Sequence, residues 1–207
     1  MNAPEFDLLR ARLEAEVARP AVIAITSSTA EDGKEIAARG LASSLAGTGY
    51  PTLYIDTCST SRNGPMPFMG MTLEQIGHQV NPDPSGHLTV LSLGDPLLQR
   101  TSSRRNIQLA LEALRHKFDY IVVSTEHGVS SSFGMSIAAA ADAVMATVRT
   151  GRREKAGDVR LSAALDRVGG RFLGVLMMDA SAIDDNVTPI AAPAHIPDAR
   201  RQRAQVG

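Results

Sequence analysis

The residues best placed to do chemistry lie in the run Thr26-Ser27-Ser28-Thr29-Ala30-Glu31-Asp32-Gly33-Lys34-Glu35. A turn of small polar residues that ends in Gly-Lys and opens a helix offers backbone N–H groups and an ammonium to a phosphate. Ser28, Thr29, Ala30, Glu31, Asp32, Gly33, Lys34 and Glu35 are therefore the candidate nucleotide-phosphate contacts. Two more polar residues close apolar runs, Asp56 after Leu53-Tyr54-Ile55 and Ser124 after Ile121-Val122-Val123, and Cys58 follows Asp56 by two positions. A fully working loop of this kind also places a hydroxyl after the lysine to hold magnesium, and phosphoryl transfer adds a strand-end carboxylate. Here those two positions carry Glu35 and Ser124.

These exchanges are costly. Glu31, Asp32 and Glu35 set three carboxylates against the one ammonium of Lys34. A carboxylate about 4 Å from a phosphate costs on the order of 4 kcal/mol at a surface-like dielectric, roughly a thousandfold in affinity. That figure is an upper bound if Glu31 and Asp32 point into water. Glu35 suits the positive end of a helix and is also a chemically acceptable magnesium ligand, with Asp56 as its partner in an unorthodox metal site. Lys34 has two open readings, phosphate contact or an ion pair with Asp56 or Glu35. Asp56 has two as well, catalytic acid or acceptor that orders its own loop. Cys58 reads as a small packed residue, since no His or Lys adjoins it in sequence. His78, His87, His116, His127 and His195 show no metal-ligand spacing.

The elements that position these residues follow from hydrophobic patterning. Val22–Ile25, Thr52–Ile55, Leu88–Leu93, Asp119–Ser124, Ala143–Val148 and Phe172–Met178 are short, mostly apolar runs and read as buried strands. Between them, Ile36, Leu41 and Leu45 mark a helix stopped by Gly47 and Gly49; Ser103 caps a helix through Phe118 with Ile107, Leu111 and Leu114 inward. Short helices are expected over Leu73–Val80 and Ser136–Ala141, and a longer one over Arg153–Val168. An amphipathic helix with Phe6, Leu9, Leu13 and Val17 on one face leads into the first strand. Thr57–Met71 reads as a loop, with Met66, Met69 and Met71 as an adaptable packing surface.

Strands alternating with helices predict an α/β, three-layer sandwich: a mainly parallel sheet with helices on both faces. In such sheets ligands bind beyond the carboxyl ends of the strands, where Asp56, Ser124 and the Ser27–Lys34 turn all fall. One domain over residues 1–180 is expected, followed by an irregular, disordered tail over 181–207 containing Pro189, Pro193, Pro197 and the basic run Arg200–Arg203. Net charge is -1, which gives no reason to expect nucleic acid as a partner, and the single cysteine suits a reducing cytoplasm. Neither a signal peptide nor a membrane span is legible, so a cytoplasmic location is expected.

Three motifs carry a resemblance to a known family. They are Thr26-Ser27 through Gly33-Lys34, then Leu53-Tyr54-Ile55-Asp56-Thr57-Cys58, then Phe118-Asp119-Tyr120-Ile121-Val122-Val123-Ser124. Together they resemble the bacterial tyrosine kinases of capsule and exopolysaccharide synthesis (BY-kinases), a branch of the MinD/ParA-like P-loop ATPases. The similarity spans most of residues 5–178 and includes Gly94-Asp95-Pro96-Leu97-Leu98 and Leu173-Gly174-Val175-Leu176. It departs at three positions: Glu35 for the loop hydroxyl, Cys58 for the second Asp of Asp-x-Asp, and Ser124 for the strand-end Asp. The family's adenine-facing Asn falls on Met178 or Asp179, and its tyrosine-rich tail has no counterpart.

The resemblance implies ATP or ADP with magnesium as cofactor, held weakly or not at all. It further implies an inner-membrane polysaccharide co-polymerase as partner, peripheral membrane location through that partner, and homo-oligomer assembly through the N-terminal helix. That helix keeps Arg10 but has Asp7 where an Arg is usual. The expected role is that of a degenerate, catalytically silent member regulating or assembling exopolysaccharide synthesis or export. The alternatives are an active kinase or ATPase using Glu35 and Asp56, and a ParA/MinD-like positioning factor.

Overall fold

The computed structural model describes residues 4–58, 81–82, 86–92, 103–127, 131–151, 156–179 and 187–189. Five helices are described: α1 (Pro4–Glu16), α2 (Lys34–Gly47), α3 (Arg104–Arg115), α4 (Ser132–Ala140) and α5 (Ala156–Val168). The strands are β1 (Ala21–Ser27), β2 (Thr52–Asp56), β3 (Asn81–Pro82), β4 (Leu88–Ser92), β5 (Tyr120–Ser124), β6 (Ala143–Arg149), β7 (Phe172–Met178) and β8 (Val187–Pro189). They form one sheet in the order β3-β4-β2-β5-β1-β6-β7-β8. The six inner strands pair in parallel, and β3 and β8 add antiparallel edges. This is the expected α/β architecture.

Period-2 alternation sorts the core into two layers. Ile23, Ile25, Tyr54, Tyr120 and Val122 face Leu9, Leu13, Leu41 and Leu45 of α1 and α2. Val22, Ala24, Leu53, Ile55, Ile121 and Val123 face α3, α4 and α5 through Ile107, Leu111, Phe133, Ile137, Leu161 and Leu165. Both faces being covered explains why β1 is apolar at nearly every position, each buried Val or Ile there contributing about 2 kcal/mol. Phe6, Leu9, Leu13 and Val17 are buried as the N-terminal pattern predicts.

Some boundaries differ from expectation. Helix α4 starts one turn earlier, because Ser131 caps it by accepting the Gly134 amide at 3.0 Å. Helix α3 ends at Arg115, before Phe118, and of the helix expected over Arg153–Val168 the described part, Ala156–Val168, is helical. Ile36 is not on the buried face of α2: it is 44% exposed, and Lys34, Ala37, Ala38, Leu41, Ser44 and Leu45 are the inward residues. Alanine-rich helices hide this, since small residues bury at close approach as readily as large ones. Within the stretch expected to be an irregular tail, Val187–Pro189 runs antiparallel to β7. The Leu73–Val80 helix, the Met66–Met71 surface, most of the Thr57–Met71 loop, the Gly94–Leu98 segment and the Arg200–Arg203 run lie outside the described residues.

Candidate functional site

The crossover from β1 runs through α2 to β2 and that from β5 runs through α4 to β6 in the opposite direction along the sheet, which opens a crevice at the carboxyl ends of β1 and β5. The chain emerging there is held by its own side chains. Ser27 donates to the Thr29 carbonyl at 2.5 Å, and residues Ala30–Asp32 make one 3-10 turn. Gly33 then adopts φ 73°, a left-handed conformation that L side chains rarely take, before α2 begins at Lys34. A Cβ at Gly33 would also come within 3.1 Å of the Met178 side chain.

Asp32 does not point into water. It is fully buried, with Oδ2 accepting from the Thr29 amide at 3.0 Å and Oδ1 from the Arg149 amide at 3.2 Å. It therefore stitches the turn to the end of β6. Ser28 is tied outward, donating to Asp158 of α5 at 2.5 Å. Ala30 and Glu31 are exposed at the rim.

Lys34 is 1% exposed, and its Nζ lies 2.5 Å from Glu35 Oε1, while the Glu35 side chain remains 37% exposed. Of the open readings for Lys34, this conformation takes the ion pair with Glu35. Asp56 accepts the Cys58 amide at 2.8 Å through Oδ1, the loop-ordering geometry allowed for it. In the sheet register Asp56 is opposite Ser124, and Ser124 is opposite Ile25, so both polar residues sit on the α2 side of the sheet. The Ser124 carbonyl takes both the amide and the hydroxyl of Thr57, at 3.1 and 2.8 Å. Its own hydroxyl is wholly buried and has no hydrogen-bond partner among the described residues.

Cys58 donates to the Thr125 carbonyl at 3.3 Å. Its thiol is pushed up to about 11, by burial first; Lys34 pulls it back, and Glu35 and Asp56 push it further. It is thus a protonated, packed thiol at neutral pH. Burial, then the Asp56 and Glu35 carboxylates, likewise raise the Tyr54 phenol. Among the described residues no three of His, Cys, Asp and Glu converge closely enough to hold a metal ion.

Outside the loop a cleft of about 210 Å³ is walled by Glu31, Gly33, Glu35, Ile36, Arg149 and Met178. Arg149 and Asp158 were not singled out as site residues from the sequence, whereas Met178 was one of the two positions on which the adenine-facing Asn of the resembled family falls. The strand-end rule that found Asp56 and Ser124 also points to Arg149, which closes β6.

The comparisons with known proteins agree with this fold. Over 187 residues the chain is 25% identical to tyrosine-protein kinase CpsD of Streptococcus agalactiae, covering 83% of this chain and 81% of CpsD. In sequence the chain is thus similar to a bacterial tyrosine-protein kinase. In fold, the chain is similar to the kinase domain of the Escherichia coli tyrosine kinase ETK, with TM-score 0.66 and 19% identity over 90% of this chain and 76% of that one. It is also similar to the septum site-determining protein MinD of Pyrococcus horikoshii, complexed with Mg-ADP, with TM-score 0.64 and 15% identity over 84% and 78% of the two chains. No family model matches the chain. Among the described residues no helix is long and apolar enough to cross a membrane.

Proposed function

We propose that this chain is a degenerate, catalytically silent bacterial tyrosine-kinase relative that regulates or assembles exopolysaccharide synthesis or export. The observation that carries the reading is the Lys34–Glu35 pair: the one ammonium of the loop is closed by the carboxylate standing where a magnesium-binding hydroxyl belongs. The remaining side chains fit magnesium poorly, since Ser124 stands where a strand-end carboxylate is needed and Cys58 is a protonated thiol turned to a carbonyl. Asp56 alone keeps a carboxylate of the kind the metal takes, and it already caps the Cys58 amide. What remains is a rigid nucleotide-binding fold, suited to docking on the cytoplasmic side of an inner-membrane polysaccharide co-polymerase.

Homo-oligomer formation through α1 belongs to the same proposal, with a local restriction. Arg10 is committed to Ser44 at 3.1 Å and Glu14 at 3.1 Å, and Asp7 accepts from Ser44 at 2.6 Å. Both residues at the positions of the assembly motif are thus engaged within the chain. The test is paired. Phosphate release and tyrosine phosphorylation are measured with ATP and magnesium, and co-purification is measured with the cytoplasmic segment of a co-polymerase encoded nearby. Silence in the first and retention in the second are expected. Magnesium-dependent turnover abolished by Lys34→Ala sinks the reading and favours the alternative of an active site built on Glu35 and Asp56. That alternative has one observation on its side, since both carboxylates act on Tyr54 and Cys58 and so share one corner.

A further inference from the structure

Ser124 has no structural use for its hydroxyl. Its backbone is fixed by parallel pairing to β1 and β2 and by Thr57, and the side chain is 0% exposed, with Oγ making no hydrogen bond among the described residues. A buried hydroxyl left unpaired costs about 1–3 kcal/mol that an alanine would not, so a packing role alone explains it badly. It lies at the carboxyl end of β5, on the sheet face covered by α2, whose N-terminal turn presents free amides and carries Lys34. The Lys34 ammonium has three donors, and among the described residues Glu35 is the one acceptor it meets.

We propose that this corner binds the diphosphate group of a nucleotide without magnesium, with Ser124 Oγ as a direct donor to a phosphate oxygen. Glu35 is the counter-ion that leaves Lys34 when the ligand arrives. The inference rests on the phosphate-loop reading above and deepens it. A strand-end carboxylate beside a phosphate needs a cation between the two charges; a hydroxyl does not, because it donates. Replacing the carboxylate and dispensing with the metal are then one change. Glu35 is exposed enough to swing into solvent, while Lys34, buried by its surroundings, stays to meet the anion.

Calorimetric titration of the full chain with ADP and with pyrophosphate, each in EDTA and in magnesium, tests this. Both ligands should bind in EDTA within about twofold of their affinity in magnesium. Ser124→Ala should weaken both by about tenfold or more, since a hydrogen bond to a charged group is lost, and Ser124→Thr should restore them. Glu35→Gln should tighten both by about tenfold, as expected when a charged competitor is removed. The control is the ligand-free melting temperature: Ser124→Ala should hold or raise it, which no purely structural role would produce. Binding of ADP but not pyrophosphate, a requirement for magnesium, indifference to Ser124→Ala, or no binding of either ligand overturns the proposal. No binding together with intact co-polymerase association overturns only this inference. Magnesium-free binding accompanied by turnover overturns only the silent-regulator reading.

Discussion

Lys34 and Glu35 are consecutive in the chain, yet their side chains close on each other, Nζ to Oε1 at 2.5 Å, on the first turn of α2. Neighbours in a helix point about 100° apart and do not ordinarily meet. The lysine is buried along its length with its head on the glutamate, which the positive end of the helix dipole also favours. The loop thus carries its own anion, covalently attached and always present.

Converting the site should therefore take two changes. Glu35→Thr with Ser124→Asp restores a hydroxyl and a carboxylate at the positions where magnesium is held in the resembled motif. ADP affinity in the double variant should rise by about tenfold or more on adding magnesium. Without the metal it should melt below the parent, because a carboxylate now replaces a buried hydroxyl. Absence of any magnesium response would mean that the backbone turn itself no longer fits a phosphate.

Gly40 of α2 lies under the ring of Phe6, and a Cβ there would sit within the van der Waals envelope of that ring. Gly40→Ala should cost about 1–3 kcal/mol through overpacking, read as a lower denaturant midpoint. Protection of α1 amides against hydrogen exchange should fall first, and a second change, Phe6→Leu, should recover part of the loss. Equal loss of protection across the whole sheet would contradict a local role.

Asp32 holds two amides, those of Thr29 and Arg149, with separate carboxylate oxygens. Asp32→Asn keeps one acceptor and puts a donor against the other amide. It should cost about 1–3 kcal/mol in urea unfolding, with Asp32→Ala at least as severe. A change below ~0.5 kcal/mol would show that the turn holds its shape without the stitch.

Cys58, raised from an ordinary 9.0 to about 11, should alkylate slowly. Two pKa units correspond to about a hundredfold less thiolate near pH 8 than for a free cysteine, and the iodoacetamide rate should climb until about pH 11. The folded state holds this proton more tightly than the unfolded chain. Its stabilising effect is therefore complete below pH 9 and is lost as pH rises toward 11. Tyr54, raised in the same sense, adds to the alkaline loss. An alkylation rate matching free cysteine at pH 8 would place the thiol in a different environment.

The sheet, its polarity and the position of the site were legible in the sequence because buried parallel strands announce themselves as short β-branched runs. The identity of each strand-end residue was legible too: Asp56, Ser124 and the Gly33–Lys34 turn converge as the alternating pattern requires. What each carboxylate does was not. Asp32 looks like a solvated loop acid until the Arg149 amide, 117 positions later, is seen to complete it. Ile36 matched the helical period, yet α2 buries its alanines and lysine and leaves Ile36 at the cleft. Local periodicity records which residues are apolar; it does not record which partner arrives from elsewhere in the chain.

The place of β1 in the sheet also sets a timetable. Its two neighbours are β5 and β6, and Ala21 waits for Tyr120. At ~5–20 residues per second, translation leaves that strand and the turn beyond it without their flanks for about 5–20 s. The nascent N-terminal half is then an apolar ribbon with open hydrogen-bonding groups, the kind of segment that engages chaperones or aggregates. Shape at the carboxyl end of the sheet is acquired only once the ribosome has passed Arg149.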